Sequence, residues 1–191
     1  MRISSLFGAA FALFLFASLS AVQAEPLPKM RWDHVPEAAK WTNAALVSVA
    51  KYDGSLASQV PADISTWCPG YEAASMEDRR AFWVGVLSAI AKYESGYNAK
   101  ASGAGRYFGL MQISTKTAAA YRCEARSGSA LKSGEANLDC AVKIIAKQVG
   151  RDGMVSGKGN RGVARDWGPM SKSRVRADIA AWTGKQAYCA G

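Results

Sequence analysis

Residues 82–94 read Phe-Trp-Val-Gly-Val-Leu-Ser-Ala-Ile-Ala-Lys-Tyr-Glu, an apolar segment that ends on a single acid. Counting back from Glu94, Ile90 is four residues away, Leu87 seven and Trp83 eleven. In an α-helix this spacing puts the Glu94 carboxylate on the same face as the apolar side chains. The segment therefore predicts a helix that packs into a core and carries a partly desolvated acid at its C-terminal end.

Two effects at this position predict a raised pKa for Glu94. Burial disfavours the charged form of a carboxyl group, and so does the negative end of a helix dipole. A carboxyl group that keeps its proton near neutral pH is suited to act as a general acid. The position alone also fits a surface glutamate at a fraying helix end, so the residues that follow must decide.

The first 24 residues predict a secretory signal peptide. Arg2 gives a short basic start, residues 6–19 are an apolar run broken only by small residues, and residues 22–24 (Val-Gln-Ala) form a small-residue cleavage site. The run is shorter than the roughly 20 residues that a membrane span needs. We therefore expect a mature chain that begins at Glu25, has no membrane anchor and is periplasmic or secreted.

The remaining 167 residues (191 minus 24) are enough for one domain, which we expect to span residues 25–191. Removal of the signal peptide takes away one arginine and no acids, so the net charge falls from +9 to +8. Such a surface suits nucleic acid, an anionic membrane or an anionic wall polymer, and it also fits ordinary solubility. Nucleic acid is the weakest of these because the basic residues are scattered and the chain is exported.

All four cysteines, Cys68, Cys123, Cys140 and Cys189, lie after the signal peptide, and an even count in an exported chain predicts two disulfides. Three pairings are possible. We favour Cys123–Cys140, which would tie one helix end to the next helix, and Cys68–Cys189, which would clip the C-terminal tail to the body. With no CxxC pair and His34 as the single histidine, we expect no metal, no cofactor and no standard Ser-His-Asp mechanism.

The rest of the chain predicts a mainly α protein. Ser75-Met76-Glu77-Asp78 fits a capping box and starts the helix that ends at Glu94. The other predicted helices cover residues 36–52, 115–126, 135–149 and 173–182. We expect at most one small hairpin, in the loop after Glu94, and an irregular segment over 53–71. Residues 150–162 hold five glycines and three basic residues, which predicts a mobile surface loop.

Two short motifs follow Glu94. Residues 95–98 read Ser-Gly-Tyr-Asn, and residues 109–112 read Gly-Leu-Met-Gln, starting fifteen positions after Glu94, with Thr-Ala at 117–118. Each motif alone is weak, but the combination at this spacing is specific. It resembles the soluble lytic transglycosylase family and its relatives, the goose-type lysozymes, most strongly over about residues 89–118.

This resemblance implies a lysozyme-like helical domain with a cleft for the glycan strands of peptidoglycan. It implies that Glu94 protonates the oxygen of the β-1,4 bond between N-acetylmuramic acid and N-acetylglucosamine, and that Ser95, Met111 and Gln112 line the cleft. These residue types suit the task, because a hydroxyl and a carboxamide can hydrogen-bond an N-acetyl group. Met111 offers an apolar surface, and Tyr97 could stack on a sugar face, with core packing as the alternative.

A weaker resemblance extends to about Pro169. Asn137 fits the start of the family's next helix, and we count it with Asp166 and Trp167 among the candidate substrate-binding residues. Residues 164–169 read Ala-Arg-Asp-Trp-Gly-Pro where the family has Ala-Tyr-Asn-Ala-Gly-Pro, so the tyrosine that normally faces the catalytic glutamate is absent here. Either Trp167 or a tyrosine elsewhere takes its place, or the site works differently.

The number of acids near Glu94 bears on the reaction. Ordinary glycosidases use two carboxyl groups, yet there is no Asp or Glu from Ser95 to Cys123. Goose-type lysozymes carry aspartates there that serve the attacking water, and the matching positions in this chain are Gly103 and Ser114. A lone carboxyl group favours the lytic transglycosylase route, in which the C6 hydroxyl of the substrate attacks and a 1,6-anhydro sugar forms. Asp166, Asp139 or Glu124 could reach the cleft from another segment, so hydrolysis stays open.

The leading hypothesis is therefore an exported enzyme that cuts peptidoglycan by non-hydrolytic transglycosylation. A muramidase that uses water is the first alternative. A non-catalytic wall-binding or assembly factor is the second, favoured by the altered C-terminal motif and the basic surface. We expect a monomer whose partner is the glycan strand, and by analogy with compact proteins of this kind a secretion or flagellar machine is a candidate partner.

Overall fold

The computed structural model describes residues 26–190, so the predicted signal peptide lies outside the described residues. As predicted, this part of the chain is mainly helical. Its α-helices are α1 (Ala38–Ala50), α2 (Ile64–Trp67), α3 (Met76–Glu94), α4 (Thr115–Ala120), α5 (Gly134–Asp152) and α6 (Ser173–Thr183). Within residues 26–190, none of the helices is both long enough and apolar enough to cross a membrane.

Helix α3 is the centre of the fold. Its first turn is capped as predicted, since the Ser75 Oγ accepts the backbone N–H of Asp78 at 3.1 Å. All eleven residues from 81 to 91 are buried, and α3 packs against α1, α6 and the short 3-10 turn Ala187–Cys189. A side chain at Gly85 would collide with the hydroxyl of Tyr188, so this glycine lets the C-terminal segment reach the helix. A helix surrounded in this way holds its last residue, Glu94, in a fixed position.

A small antiparallel sheet follows α3, with one strand more than the single hairpin that we expected. Its strands, in spatial order, are β1 (Ser102–Gly103), β2 (Tyr107–Phe108) and β3 (Ile113–Ser114). Phe108 lies opposite Ser102 on one side and opposite Ile113 on the other. The sheet thus folds the segment after Glu94 back on itself and leads directly into α4.

Residues 150–162, expected to be a mobile surface loop, contain regular secondary structure. Helix α5 continues to Asp152, and a second antiparallel pair follows, β4 (Ser156–Gly157) with β5 (Arg161–Gly162). Gly150 stays helical and packs against Ser55, whereas Gly153 adopts the left-handed conformation (φ +64°) that ends the helix. The Asp152 carboxylate then accepts the Gly162 N–H at 2.7 Å and ties the hairpin to the helix end.

Two other boundaries differ from the sequence prediction. Helix α4 ends at Ala120 instead of 126, because Arg122 is left-handed (φ +54°) and the Cys123 N–H closes the helix on the Ala118 carbonyl at 2.9 Å. The segment 53–71, expected to be irregular, holds α2 and a 3-10 turn, Asp53–Ser55.

Both favoured disulfides are confirmed. Cys123–Cys140 joins the end of α4 to α5, and Cys68–Cys189 joins the segment after α2 to the C-terminal turn. The second bridge links residues 121 positions apart and so closes most of the domain into one loop. All four cysteines are buried against the hydrophobic core.

Candidate active site

The end of α3 at Glu94 is held by its own backbone. The Ser95 N–H donates to the Ala91 carbonyl at 3.1 Å and closes the last turn, while the Ser95 hydroxyl donates to the same carbonyl at 3.4 Å. Ser95 is therefore the C-terminal cap of the helix, and its hydroxyl is turned onto the helix.

Long-range contacts also fix this helix end. The Tyr93 hydroxyl donates to Asp178 on α6 at 2.6 Å, and the Arg31 guanidinium donates to both oxygens of Asp178 at 2.6 and 3.1 Å. The paired Arg31 holds the pKa of Asp178 near 2. The fraying surface end considered above is therefore wrong, because the residue before Glu94 is bonded to a fixed ion pair.

The Glu94 carboxyl group is mostly removed from water. Its Oε1 atom is fully buried and has no hydrogen-bond partner among the described residues. Burial raises the pKa of Glu94 from 4.5 to about 7. The predicted direction is confirmed, and the cause is desolvation, to which no charged neighbour in residues 26–190 adds. This carboxyl group can hold a proton at neutral pH and still release it.

The Gly-Leu-Met-Gln run forms a tight turn between β2 and β3. Gly109 has φ +79°, and a side chain there would collide with the Leu131 carbonyl and with Asn137, so only glycine fits. Gln112 is also left-handed (φ +47°), and its Nε2 donates to the Gly109 carbonyl at 2.8 Å. The motif is thus a turn stabilised by its own hydrogen bond, and its glycine has a steric reason in this fold.

Asn137, at the start of α5, anchors this turn. Its Oδ1 accepts the Met111 N–H at 2.8 Å, and its Nδ2 donates to the carbonyls of Phe108 and Leu131, both at 2.9 Å. Asn137 is fully buried, with both amide hydrogens in use. It therefore positions the residues of the turn, and no atom of its side chain is exposed for a sugar to contact directly.

A small cleft brings together four of the predicted site residues from two segments of the chain. Met111 and Gln112 come from the turn, and Asp166 and Trp167 come from the segment after β5. The remaining lining residues are Tyr107, Ile113, Ser114, Thr117 and Ile144. Glu94, Ser95 and Tyr97 are not part of this lining, and lie at the end of α3 and just beyond it.

Met111 and Trp167 form the base of this cleft. Both are buried, and the Trp167 indole N–H donates to the Met111 carbonyl at 3.0 Å. The indole nitrogen is thus already bonded within the protein. Trp167 shapes the cleft through its ring, and its N–H cannot replace the hydroxyl of the tyrosine that the family pattern has nearby.

Asp166, at the rim, is held by two residues that the sequence analysis did not single out. Its Oδ2 accepts the Tyr121 hydroxyl at 3.0 Å and the Nε2 of Gln148 at 2.5 Å. Gln148 also bonds the Tyr121 hydroxyl. Burial and the neighbouring Asp166 charge raise the pKa of Tyr121 to about 12. In this cluster at the rim of the cleft, a tyrosine hydroxyl and a carboxylate meet.

Tyr97 is strained and half-buried beside Glu94. Its backbone is left-handed (φ +68°), which is uncommon for a bulky residue, and its ring packs edge-on against His34 with the centroids 5.0 Å apart. His34 belongs to the N-terminal segment, which also bonds α3 where the Arg31 N–H donates to the Ser88 hydroxyl at 3.0 Å. Part of the Tyr97 ring thus packs against His34. Tyr97 is half-buried and remains a candidate sugar contact.

The two positions at which goose-type lysozymes carry aspartates are occupied here in ways that leave no base. A side chain at Gly103 would collide with the Oε1 of Gln112. Ser114 caps α4, accepting the Thr117 N–H at 3.0 Å and bonding its hydroxyl at 2.8 Å. In this structure the Gln112 side chain fills the space that an acid at 103 would need.

Residues that sequence reasoning missed differ in how well they could have been found. Gln148 lies between Ile145 and Val149 on the apolar face of α5, and a polar residue in such a place is a usable signal. Arg31 and Asp178 are 147 positions apart and carry no such pattern. Their pairing depends on how the N-terminal segment and α6 meet at α3.

Residues 73–160 match the family model of the transglycosylase SLT domain. The matched segment holds Glu94, the turn 109–112 and Asn137. This match confirms, for residues 73–160, the resemblance to a lysozyme-like family found in the sequence.

Solved structures agree with this assignment. Bd0314 DslA in wild-type form 2 is 27% identical, with a TM-score of 0.76 over 86% of this chain and 100% of that one. Two variants of the same protein, each with one glutamate replaced by glutamine, give the same values. No curated protein matches the chain. At this identity and coverage, the SLT-type helical fold extends beyond the segment that the family model covers.

Proposed function

We propose that the protein is a peptidoglycan lytic transglycosylase with Glu94 as its acid and then its base. One observation carries the proposal. The Glu94 carboxyl group is largely removed from water, its Oε1 has no hydrogen-bond partner among residues 26–190, and burial raises its pKa to about 7, within the segment that matches the transglycosylase SLT domain. A group in that state can donate a proton at neutral pH and accept one back, as a reaction with a single carboxyl group requires.

The proposed reaction needs no water. Glu94 gives its proton to the bridging oxygen as the bond from the muramic acid C1 to that oxygen breaks, and the substrate's N-acetyl group assists. The C6 hydroxyl of the same muramic acid then forms a bond to C1 and gives its proton to the Glu94 carboxylate. The enzyme returns to its starting state, and the products are a glucosamine end with a free 4-hydroxyl and a 1,6-anhydromuramic end.

The surroundings of Glu94 support the single-acid route. No acid lies between residues 95 and 123, and Gly103 has no room for one while Gln112 keeps its position. Ser95, Tyr97 and Gln112, which are partly exposed, are proposed as substrate contacts. The buried Met111 and Trp167 would shape the cleft, and Asn137 would position the turn.

Product analysis in H₂¹⁸O tests the proposal. Purified wall digested by the protein should yield anhydromuramic ends without isotope, because no water enters the bond. Glu94→Gln should abolish cutting while the circular dichroism spectrum stays native, and Glu124→Gln, which changes an exposed acid, should cut normally. Reducing ends that carry ¹⁸O would refute the reaction class, and a fully active Glu94→Gln variant would refute the role of Glu94.

A muramidase is the second candidate, and one observation favours it: Asp166 is a carboxylate that lines the cleft beside Met111 and Gln112. In that reaction Asp166 would activate the attacking water. Asp166→Asn would then lower the rate of ¹⁸O incorporation sharply. If the variant keeps its rate and forms only anhydro ends, Asp166 is confined to bonding Tyr121 and Gln148.

Place of action and partners follow from the same proposal. Two disulfides fit an oxidising compartment outside the cytoplasm, where peptidoglycan lies. The expected monomer, the signal peptide and a machine that would need local cuts in the wall remain proposals. Fractionation of producing cells would test the compartment, since a cytoplasmic protein would contradict it.

A further inference from the structure

A second concave surface lies next to the cleft and has no part in the reaction above. It is an open groove between the end of α4, the outer side of α5 and the turn at residues 52–55. Its lining residues are Tyr52, Ser55, Ala120, Tyr121, Arg122, Lys143, Ala146 and Lys147. We call it the basic groove, because three of these residues are cations and none is an acid.

The cations of the basic groove form no close ion pair within the described part of the chain, although Lys143 is near enough to Asp139 to help lower the pKa of that carboxyl group. Among the ion pairs of residues 26–190, none involves Arg122, Lys143 or Lys147. Lys143 donates to the Arg122 carbonyl at 2.7 Å, and Lys147 lies 5.4 Å from the centre of the Tyr121 ring. Arg122 and Lys147 are exposed, so their charges face solvent and are available to an anion.

Arg122 occupies a position that favours a different residue. It follows the C-cap of α4 with φ +54°, its N–H donates to the Ala119 carbonyl at 3.0 Å, and the next N–H donates to Ala118. Glycine is the usual residue in this motif because it has no side-chain penalty there. The left-handed arginine makes the fold somewhat less stable than a glycine would, and it places a positive charge at the groove.

The basic groove is joined to the cleft by shared elements. Tyr121 forms one wall of the groove, and its hydroxyl bonds Asp166 at the rim of the cleft. On α5, Ile144 lines the cleft and Lys147 the groove, one helical turn apart or about 4.5 Å along the axis. The two surfaces therefore adjoin along α5, so a peptide that leaves the cleft in this direction passes onto the groove.

We propose that the basic groove binds the carboxylates of a peptide stem that branches from a glycan strand lying in the cleft. This inference rests on the proposed function, since the stem belongs to the same substrate. Arg122 and Lys147 make the ionic contacts, Lys143 braces the Arg122 backbone, and Tyr52 and Tyr121 form the side walls. The protein thereby recognises stem-bearing strands in preference to bare glycan.

The first experiment compares two forms of substrate. The variant Arg122→Gln/Lys147→Gln and the control Lys40→Gln/Lys185→Gln each remove two exposed positive charges, and the control residues lie outside the groove. On stem-bearing strands at low salt we expect the groove variant to lose about five- to tenfold in kcat/KM, mainly through KM. On strands stripped of their stems by an amidase, it should equal the wild type.

Two further arms separate the alternatives. On strands whose stem carboxylates have been converted to amides, the groove variant should equal the wild type, as it does on stripped strands. Walls that differ only in phosphate polymers should give the same ratio of wild-type to groove-variant kcat/KM. Arg122→Gly should lower the preference for stems while leaving the melting temperature equal or higher, since glycine fits φ +54°. If Arg122 served only the stability of the fold, the substitution would change the melting temperature and leave the preference for stem-bearing strands unchanged.

Binding measurements keep this inference separate from the proposed reaction. Glu94→Gln protein should bind soluble stem-bearing fragments more tightly than stem-free fragments of equal length, and the added groove substitutions should remove the difference. Equal affinity for both fragments would overturn the groove proposal. A wild-type protein that binds stems but cuts nothing would overturn the reaction and leave the groove standing.

Discussion

Replacing Glu94 by glutamine should alter stability in a way that depends on pH. In the folded protein this carboxyl group keeps its proton up to a pKa of about 7, whereas an unfolded chain loses it near 4.5. Between these values the folded state binds more protons than the unfolded state. The stability that the protonated group contributes is therefore complete below about pH 4.5 and is lost as the pH rises through 7. Glutamine has no such dependence.

The magnitude follows from the two pKa values. The interval from 4.5 to about 7, at about 1.36 kcal/mol for each unit of pKa, corresponds to roughly 3 kcal/mol. Measured against the wild type, the free energy of unfolding of Glu94→Gln should thus increase by about that amount between pH 4 and pH 8. For a domain of this size the change corresponds to a rise of roughly 6–12 °C in the difference between the two melting temperatures.

Urea unfolding of both proteins at several pH values gives the free energy of unfolding of Glu94→Gln relative to the wild type. Comparing this quantity between pH values cancels any effect of the amide that does not depend on pH. Glu124→Gln is the matched control, because it replaces an exposed glutamate and should give a flat difference. If the Glu94→Gln difference is equally flat from pH 4 to pH 8, the carboxyl group is not desolvated in solution. Glu94 would then be ionised at neutral pH and could not serve as the proton donor.

The other predictions concern the reaction, the turn and the disulfides. The rate of wall cutting should fall as the pH rises above about 7, approaching tenfold per pH unit, because Glu94 loses the proton that it must donate; a rate that still rises at pH 8 would contradict this. Gly109→Ala should destabilise the fold by roughly 2–4 kcal/mol in chemical unfolding, since the methyl group collides with the Leu131 carbonyl; an unchanged unfolding midpoint would argue against this turn geometry. Asn137→Ala, which leaves the Met111 N–H without its partner, should cost about 1–3 kcal/mol and lower the cutting rate; full activity would show that the turn is held without it. Removing the Cys68–Cys189 bridge by a double serine substitution should cost about 2–4 kcal/mol in the same assay, and an unaffected protein would show that the tail is held by packing alone.

The central helix and its acid could be predicted because their determinants are local. The capping residue Ser75, the apolar spacing and Glu94 all lie within twenty residues, so the pattern fixes both the helix and the face that is buried. The number of disulfides was predictable because it depends only on an even cysteine count in an exported chain. The end of α5 was predicted at residue 149, whereas the helix continues through Gly150 and ends at the left-handed Gly153.

The sequence by itself determined a helix that carries a partly desolvated acid, a family motif at residues 109–112, and four cysteines able to form two bridges. Only the tertiary structure decided what surrounds them. It makes Asn137 a buried anchor, joins Tyr121, Gln148 and Asp166 at the rim of the cleft, and places the basic groove beside it. The physical reason is range: periodicity and capping act between near neighbours in the chain, whereas these contacts depend on how α4, α5 and the segment after β5 pack together.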